Sequence, residues 1–351
     1  MDIDASIDSA TGAADGAGPA DIAAGADGGA QAGADVAAVG DAALSEVAVD
    51  AAGDGGGTAG GDGDGVGAAD AAAEVVAACP IPTAAGHHQP KCQGLILDLH
   101  IPASCAKGGC GLVVDVHGAT MDAAMQDYNT DLRALGEQMG YVVVQPNALP
   151  PPPASAWIAA DDAVVLAFTK SAIAALAIDP KRVHFTGFSQ GGWMGWRMVC
   201  QYPQLFASVA IGAACSSYGG QGCSFQGEQV PAVQTPLLYM HGTLDVLQPW
   251  FCAEQQTAGL TKAWQLQQTK VLAQDSKHQW RRLASPSGTI VELIQHDYSA
   301  LAPTLGGHCY PGSPDQIPKF LGQIAGFGCA GQSAFHWGKA AMGFFAAHPK
   351  P

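Results

Sequence analysis

Residues Gly187-Phe188-Ser189-Gln190-Gly191 join two segments of unlike pattern, and that junction constrains the chain more than any other stretch. Upstream, Arg182-Val183-His184-Phe185-Thr186 is β-branched and aromatic, the composition of a short strand. Downstream, residues 192–200 contain no proline and set large apolar side chains at helical spacing. A strand that turns at once into a helix needs residues without a Cβ to clash, and the flanking glycines meet that need. The serine is thereby lifted clear of the strand end. Backbone N–H groups of the first helical turn then face the place where negative charge would develop. The pattern predicts a displayed serine nucleophile.

Composition splits the chain in two. Residues 1–78 hold 15 Asp or Glu and no Lys or Arg, and are otherwise mostly Ala and Gly. Residues 79–351 hold 16 acids against 15 bases. The acidity therefore belongs to the first part, which has too little apolar surface to offset its ordering entropy and is expected to be a disordered tail or linker. Its Asp62-Gly63-Asp64-Gly65 lacks the ligand alternation and closing Glu of a calcium loop. Neither part offers a basic patch, which argues against nucleic acid as a partner. Residues 79–351 suit one large domain.

All ten cysteines fall in residues 79–351, without C-x-x-C or zinc-type spacing. An even number so arranged favours disulfides and a secreted, periplasmic or cell-surface location. Met1-Asp2-Ile3-Asp4 shows no secretion signal, so the cysteines alone carry that expectation. No stretch is apolar for long enough to span a membrane. Tethering to a surface through the acidic tail is a further expectation from composition.

Strand-like and helix-like segments alternate through the second part, which predicts an α/β fold with a mostly parallel sheet covered on both faces. Strands are expected at Leu95–Ile101, Leu112–Val116, Tyr141–Gln145, Ser208–Ala213, Leu237–Met240 and Thr289–Ile294. The first two flank Cys105–Cys110 and read as an antiparallel hairpin, with those two cysteines as the easiest disulfide to propose. Helices are expected at 131–139, 162–176 (capped by Asp161 or Asp162), 253–270 and 333–347.

A nucleophilic serine needs a base and an acid that orients the base. For the base, His308 lies in the glycine- and proline-rich loop Gly306-Gly307-His308-Cys309-Tyr310-Pro311-Gly312 after the last strand. His296 is the runner-up, whereas His336 and His348 fall on the closing helix. For the acid, Asp245 in His241-Gly242-Thr243-Leu244-Asp245 follows a predicted strand end, where such sheets place function. Asp275 is the alternative. Of the two oxyanion N–H groups, one is expected from Gln190 and the other from Ala119, with Thr120 as second choice. Trp157, Trp250 and Tyr310 are the candidates to line a substrate pocket, Trp250 first. No metal or organic cofactor is called for.

The segments His117-Gly118, Gly187-Phe188-Ser189-Gln190-Gly191-Gly192, His241-Gly242-Thr243-Leu244-Asp245 and Gly307-His308-Cys309-Tyr310-Pro311-Gly312 resemble those of the secreted polyhydroxybutyrate depolymerase and feruloyl esterase group of α/β-hydrolases. The resemblance spans residues 90–350, and the His-x-x-Pro-Gly loop is its most discriminating piece. It implies an α/β-hydrolase fold and a serine esterase with Ser189, Asp245 and His308 as its triad, acting on an ester substrate that is polymeric in some members. The elbow also resembles that of acyl-protein thioesterases and carboxylesterases, which leaves small acyl substrates open. An acyltransferase, or a non-catalytic binding protein on the same fold, is the reading from another class. Cys252 and Cys309 follow the acid and the base closely, and a bond between them would tie the two loops together.

Overall fold

The computed structural model describes residues 78–216, 231, 233–314 and 327–351. The expectation for the acidic tail thus lies outside the described residues, apart from residue 78. In chain order the strands are β1 (Gly86–His88), β2 (Lys91–Cys92), β3 (Leu95–Ile101), β4 (Gly111–Val116), β5 (Tyr141–Asn147), β6 (Val183–Phe188), β7 (Ser208–Gly212), β8 (Leu237–Gly242), β9 (Gln267–Gln274), β10 (His278–Ala284) and β11 (Ile290–His296). The helices are α1 (Ala123–Thr130), α2 (Leu132–Met139), α3 (Asp161–Ala175), α4 (Gln190–Gln201), α5 (Trp250–Trp264) and α6 (Trp337–Ala347).

The strands form one sheet in the order β1-β3-β5-β4-β6-β7-β8-β11-β10-β9, with β2 on β3. From β5 through β11 the neighbours are parallel, and both flanks are antiparallel. Parallel strands buried on both faces read as unbroken apolar runs, and β4 and β6 are buried at every residue. Their side chains still alternate between two cores. Leu112, Val114 and Val116 join the core under α3, α4 and α5, whereas Val113 joins the one under α1, α2 and α6. A buried pair, Arg197 Nε on Asp162 Oδ2 at 2.5 Å and a second guanidinium nitrogen on Oδ1 at 2.7 Å, joins α4 to α3.

Several expectations need correction. The hairpin of β3 and β4 does not exist, because β5 lies between them and pairs with both. The helix expected over 253–270 ends at Trp264, and Gln267–Gln274 is an edge strand. Neither Asp161 nor Asp162 caps α3. The first accepts from Ile158 N–H, and the second is spent on Arg197. Cys105 and Cys110 do bond. Cys252 and Cys309 do not bond to each other: they pair with Cys215 and Cys329, so each loop is tied separately. Two further cysteines, Cys79 and Cys92, close the start of the domain. No described helix is long and apolar enough to cross a membrane.

Chain direction determines where function can gather. From β4 the chain moves to β5 on one side and later returns to β6 on the other, so the ends of β4 and β6 face a topological switch point. Ser189 and His117 both lie there.

Candidate active site

Ser189 sits between β6 and α4 with φ 53° and ψ −121°, a conformation that a residue with a Cβ holds only when its surroundings enforce it. The enforcement is visible. Ser189 N–H donates to Gly212 O at 2.9 Å, and Ser189 O accepts Trp193 N–H at 3.0 Å, which starts the helix. A Cβ on Gly191 would lie 2.1 Å from the Val116 carbonyl oxygen, and one on Gly187 would lie 2.3 Å from the Gly191 carbonyl oxygen. Both elbow glycines are therefore required by close backbone approach. The serine is half-buried.

The acid and the imidazole come from two loops that pair with each other. Asp245 and Gly306 form an isolated bridge, and Gly307 N–H donates to Leu244 O at 2.7 Å. This brings His308 Nδ1 to 2.7 Å from Asp245 Oδ2, with both side chains out of contact with solvent. A carboxylate beside Nδ1 holds the proton on that nitrogen and leaves Nε2 as a bare lone pair. Nε2 is buried and makes no hydrogen bond in this structure, with Ser189 Oγ or any other described group. The ring packs against Phe188, the residue before the serine, with centroids 4.9 Å apart. Such bonds are often long in the unliganded state and tighten around substrate.

The other oxygen of Asp245 is held by two backbone donors, Leu247 N–H at 2.9 Å and Gln248 N–H at 2.8 Å. His241 Nε2 donates to Gln248 O at 2.7 Å and closes this turn from below. Burial, the largest influence on it, holds the His241 pKa below its ordinary value, so the ring stays neutral. The Gln248 side chain accepts Trp193 Nε1–H at 3.2 Å and so ties α4 to the acid loop. No role is expected of His241 from the sequence, and its spacing of four from Asp245 is the local signal that could have found one. Nothing local marked Gln248.

On the oxyanion side, Gln190 N–H opens α4 and has no intrahelical partner. Thr120 N–H donates to Ser155 O at 2.8 Å, so the second choice for the other donor is already committed. Ala119 N–H makes no hydrogen bond among the described residues and belongs to the loop that touches the serine. A Cβ on the preceding Gly118 would meet Ser189 Cβ at 3.1 Å. His117 sets that peptide. Its Nε2 accepts Ala148 N–H at 3.1 Å, so Nδ1 carries the proton and donates to Gly118 O at 2.7 Å. With the Gly118 carbonyl held there, the trans peptide turns Ala119 N–H the opposite way. Burial lowers the His117 pKa to about 4 and keeps this pattern intact at neutral pH.

Two of the expected pocket residues are structural. Trp157 is 5% exposed and donates Nε1–H to His117 O at 2.8 Å, while the Gln190 side chain clamps its backbone at both N–H and O. Tyr310 is fully buried, stacks on Phe188 with centroids 3.9 Å apart and donates to Gln126 Oε1 at 2.6 Å. Their aromatic character signalled burial, which sequence alone does not separate from ligand contact. Trp250 is half-buried against the core, 6.0 Å from the His241 ring. The exposed apolar side chains beside the acid loop are Leu244, Val246, Leu247 and Phe251. Trp157→Phe should lower stability by about 1 kcal/mol and kcat by up to about tenfold by loosening His117. Urea titration and steady-state kinetics check both effects.

His241 with Cys215 and Cys252, and His296 with Cys309 and Cys329, are close enough to suggest metal ligation. The sulfurs are already bonded as cystines, so neither group offers the thiolate that such sites need. The alternative base His296 is buried with both ring nitrogens unpartnered, and Asp275 bonds His278 rather than His308.

Residues 154–284 match the phospholipase/carboxylesterase family model, which covers the elbow, the acid loop and the strands between them. The chain has an α/β-hydrolase fold. Among curated relatives, the poly(3-hydroxyoctanoate) depolymerase of Pseudomonas fluorescens is 30% identical over 124 residues, covering 32% of this chain and 44% of that one. The bifunctional acetylxylan esterase/xylanase XynS20E of Neocallimastix patriciarum is 27% identical over 203 residues, 56% of this chain and 28% of that one. This chain matches less than half the length of each curated relative. Among solved structures, the acetyl xylan esterase from Aspergillus awamori superposes with a TM-score of 0.47 at 15% identity, covering 57% of this chain and 87% of that one.

Proposed function

We propose that this α/β-hydrolase is a serine esterase. The observation that carries the reading is the Asp245–His308 hydrogen bond, which leaves Nε2 unpartnered on a ring packed against Phe188, the residue before a serine held at positive φ. His308 Nε2 takes the Ser189 proton as Oγ attacks an ester carbonyl, and the resulting oxyanion accepts from Gln190 and Ala119 N–H. The imidazolium then protonates the departing alkoxide. Water repeats the sequence on the acyl-enzyme and releases the acid and the free serine. Asp245 keeps the proton on Nδ1 throughout.

The Pseudomonas relative is named a depolymerase of a polyester and the Neocallimastix relative, in one of its two named activities, an acetylxylan esterase, which supports the reaction class. The exposed Leu244, Val246, Leu247 and Phe251 favour an apolar acyl portion on the acid-loop side. Disulfides at both catalytic loops favour a place outside reducing compartments. A fluorophosphonate probe should form a single adduct at Ser189, located by peptide mass spectrometry and absent after acid denaturation. Labelling of another residue in place of Ser189, or none, would refute the assignment. p-Nitrophenyl esters, a hydroxybutyrate oligomer and methyl ferulate then rank the substrates.

A further inference from the structure

Asp115 is a buried carboxyl group that the proposed reaction does not use, and its hydrogen bonds lead to the loop that carries His308. It lies on β4, two residues before His117. Its Oδ1 accepts from Gln126 Nε2 on α1 at 2.6 Å, and its Oδ2 accepts from Gln145 Nε2 on β5 at 2.8 Å. With its nitrogen committed to that carboxyl group, the Gln126 amide turns its oxygen the other way. That oxygen accepts the Tyr310 hydroxyl at 2.6 Å. Burial, the largest influence on it, holds the Tyr310 pKa well above its ordinary value, so the hydroxyl keeps the proton it donates. Asp115, Gln126 and Tyr310 are all closed off from solvent.

The far end of this chain of bonds meets the support of both reacting groups. Tyr310 stacks on Phe188 with centroids 3.9 Å apart, and the His308 ring packs on the same phenyl at 4.9 Å. Phe188 precedes Ser189, so its ring is the common reference for nucleophile and base. The Cys309–Cys329 disulfide and the backbone bonds between Tyr310 and residues 327 and 329 also hold the loop. They tie it to residues that belong to no strand of the sheet. Ser313 Oγ donates to Asn129 Oδ1 at 2.7 Å and gives the loop a second tie to α1, three residues beyond the stack. An apolar side chain of similar volume at 115 would pack β4 against α1 without the cost of a buried carboxyl group. It would not fix which way the Gln126 amide faces.

We propose that Tyr310 and Gln126 are positioning residues for the reaction: anchored on Asp115, they hold the Phe188–His308 contact at the separation that lets His308 Nε2 meet Ser189 Oγ. An offset of about 1 Å at a reacting group costs up to about 10²-fold in rate, so a strut of this kind acts on kcat. The inference rests on the esterase reading for the reaction it assists, and on the buried hydrogen bonds alone for the positioning.

Tyr310→Phe removes the hydroxyl and keeps the stack, and Gln126→Met removes the amide at similar volume. Each should lower kcat on p-nitrophenyl acetate about tenfold or more, with KM within about twofold of wild type. The double variant should fall no further than the worse single one, because either change already breaks the strut. Ser313→Ala is the control. It breaks a buried tie from the same loop to the same helix and should leave kcat within about twofold of wild type. A second readout needs no turnover. The His308 Nδ1 proton, bonded to Asp245, gives a downfield NMR resonance that should broaden through exchange with water in Tyr310→Phe and persist in Ser313→Ala. If Gln126→Met does not fold, Tyr310→Phe and the resonance decide the matter. Wild-type kcat in Tyr310→Phe with only a lower urea midpoint, additive losses in the double variant, or an equal loss in Ser313→Ala would overturn the proposal. A wild type inactive on every ester would instead sink the esterase reading. The resonance then still tests the strut: broadening confined to Tyr310→Phe supports it, and an unchanged signal refutes it.

Discussion

Ser189→Ala is expected to lower ester turnover by about 10⁴-fold or more while leaving the unfolding midpoint in place. The side chain makes no hydrogen bond that folding would lose, and the backbone that carries it is held from outside by Gly212 O and by the tight approach of Gly191 to Val116. Residual activity is expected from the two amides alone, because oxyanion stabilisation survives loss of the nucleophile. Ser189→Gly separates chemistry from strain. Glycine holds φ 53° freely, so this variant should also be inactive yet more stable than wild type by about 1 kcal/mol. Turnover of p-nitrophenyl acetate and urea unfolding of the two variants are the measurements. Activity in either variant above about a hundredth of wild type would mean that another residue attacks the ester.

The groups proposed to react are legible in the sequence because each is announced by local chemistry. Glycines at 187 and 191 mark a turn that only a closely approached backbone needs, and Asp245 and His308 each follow a strand end in a glycine-bearing loop. What stayed hidden depends on contacts distant in sequence. Nothing near Leu95–Ile101 reveals that Tyr141–Asn147 will insert beside it, since strand order is set by crossover packing. Gln267–Gln274 is almost wholly solvent-facing, so it lacks the apolar alternation that identifies a strand and reads as a continuation of α5. Cystine partners cannot be chosen from spacing, and Cys252 and Cys309 found partners on β7's exit and beside Phe327 instead of each other. Tyr310 sits in the most discriminating loop for a packing reason. It stacks on Phe188 and reaches a buried polar group beneath the elbow.

That group is Gln126, which donates in turn to the buried Asp115, and the titration of Asp115 gives the second large expected effect. Its carboxylate accepts from Gln126 Nε2 at 2.6 Å and Gln145 Nε2 at 2.8 Å, with Thr130 Oγ1 at 3.2 Å, and no cation among the described residues pairs with it. Arg133 is one step away, on Gln145 Oε1. Burial, only partly offset by these donors, raises the Asp115 pKa to about 7, and Asp127 nearby adds to the rise. The unfolded chain releases this proton near pH 4. Between about pH 4 and pH 7 the folded state therefore binds the extra proton, and stability falls as pH rises through that window. The full contribution is about 4 kcal/mol at 1.36 kcal/mol per pKa unit. His117, lowered to about 4, and His184 and His296, each lowered to about 3, act in the opposite sense because burial keeps them neutral. The wild-type profile alone would mix these effects. Asp115→Asn isolates one of them. The donor facing the new amide from Gln145 imposes a constant cost that does not depend on pH across the window. The stability gap between variant and wild type should move by about 3 kcal/mol in the variant's favour from pH 4.5 to 7.5. Urea unfolding at half-unit pH steps reads it directly. A gap that stays constant with pH would mean that Asp115 is already ionised at pH 4.5, with Gln126, Gln145 and Thr130 sufficient to stabilise a buried charge.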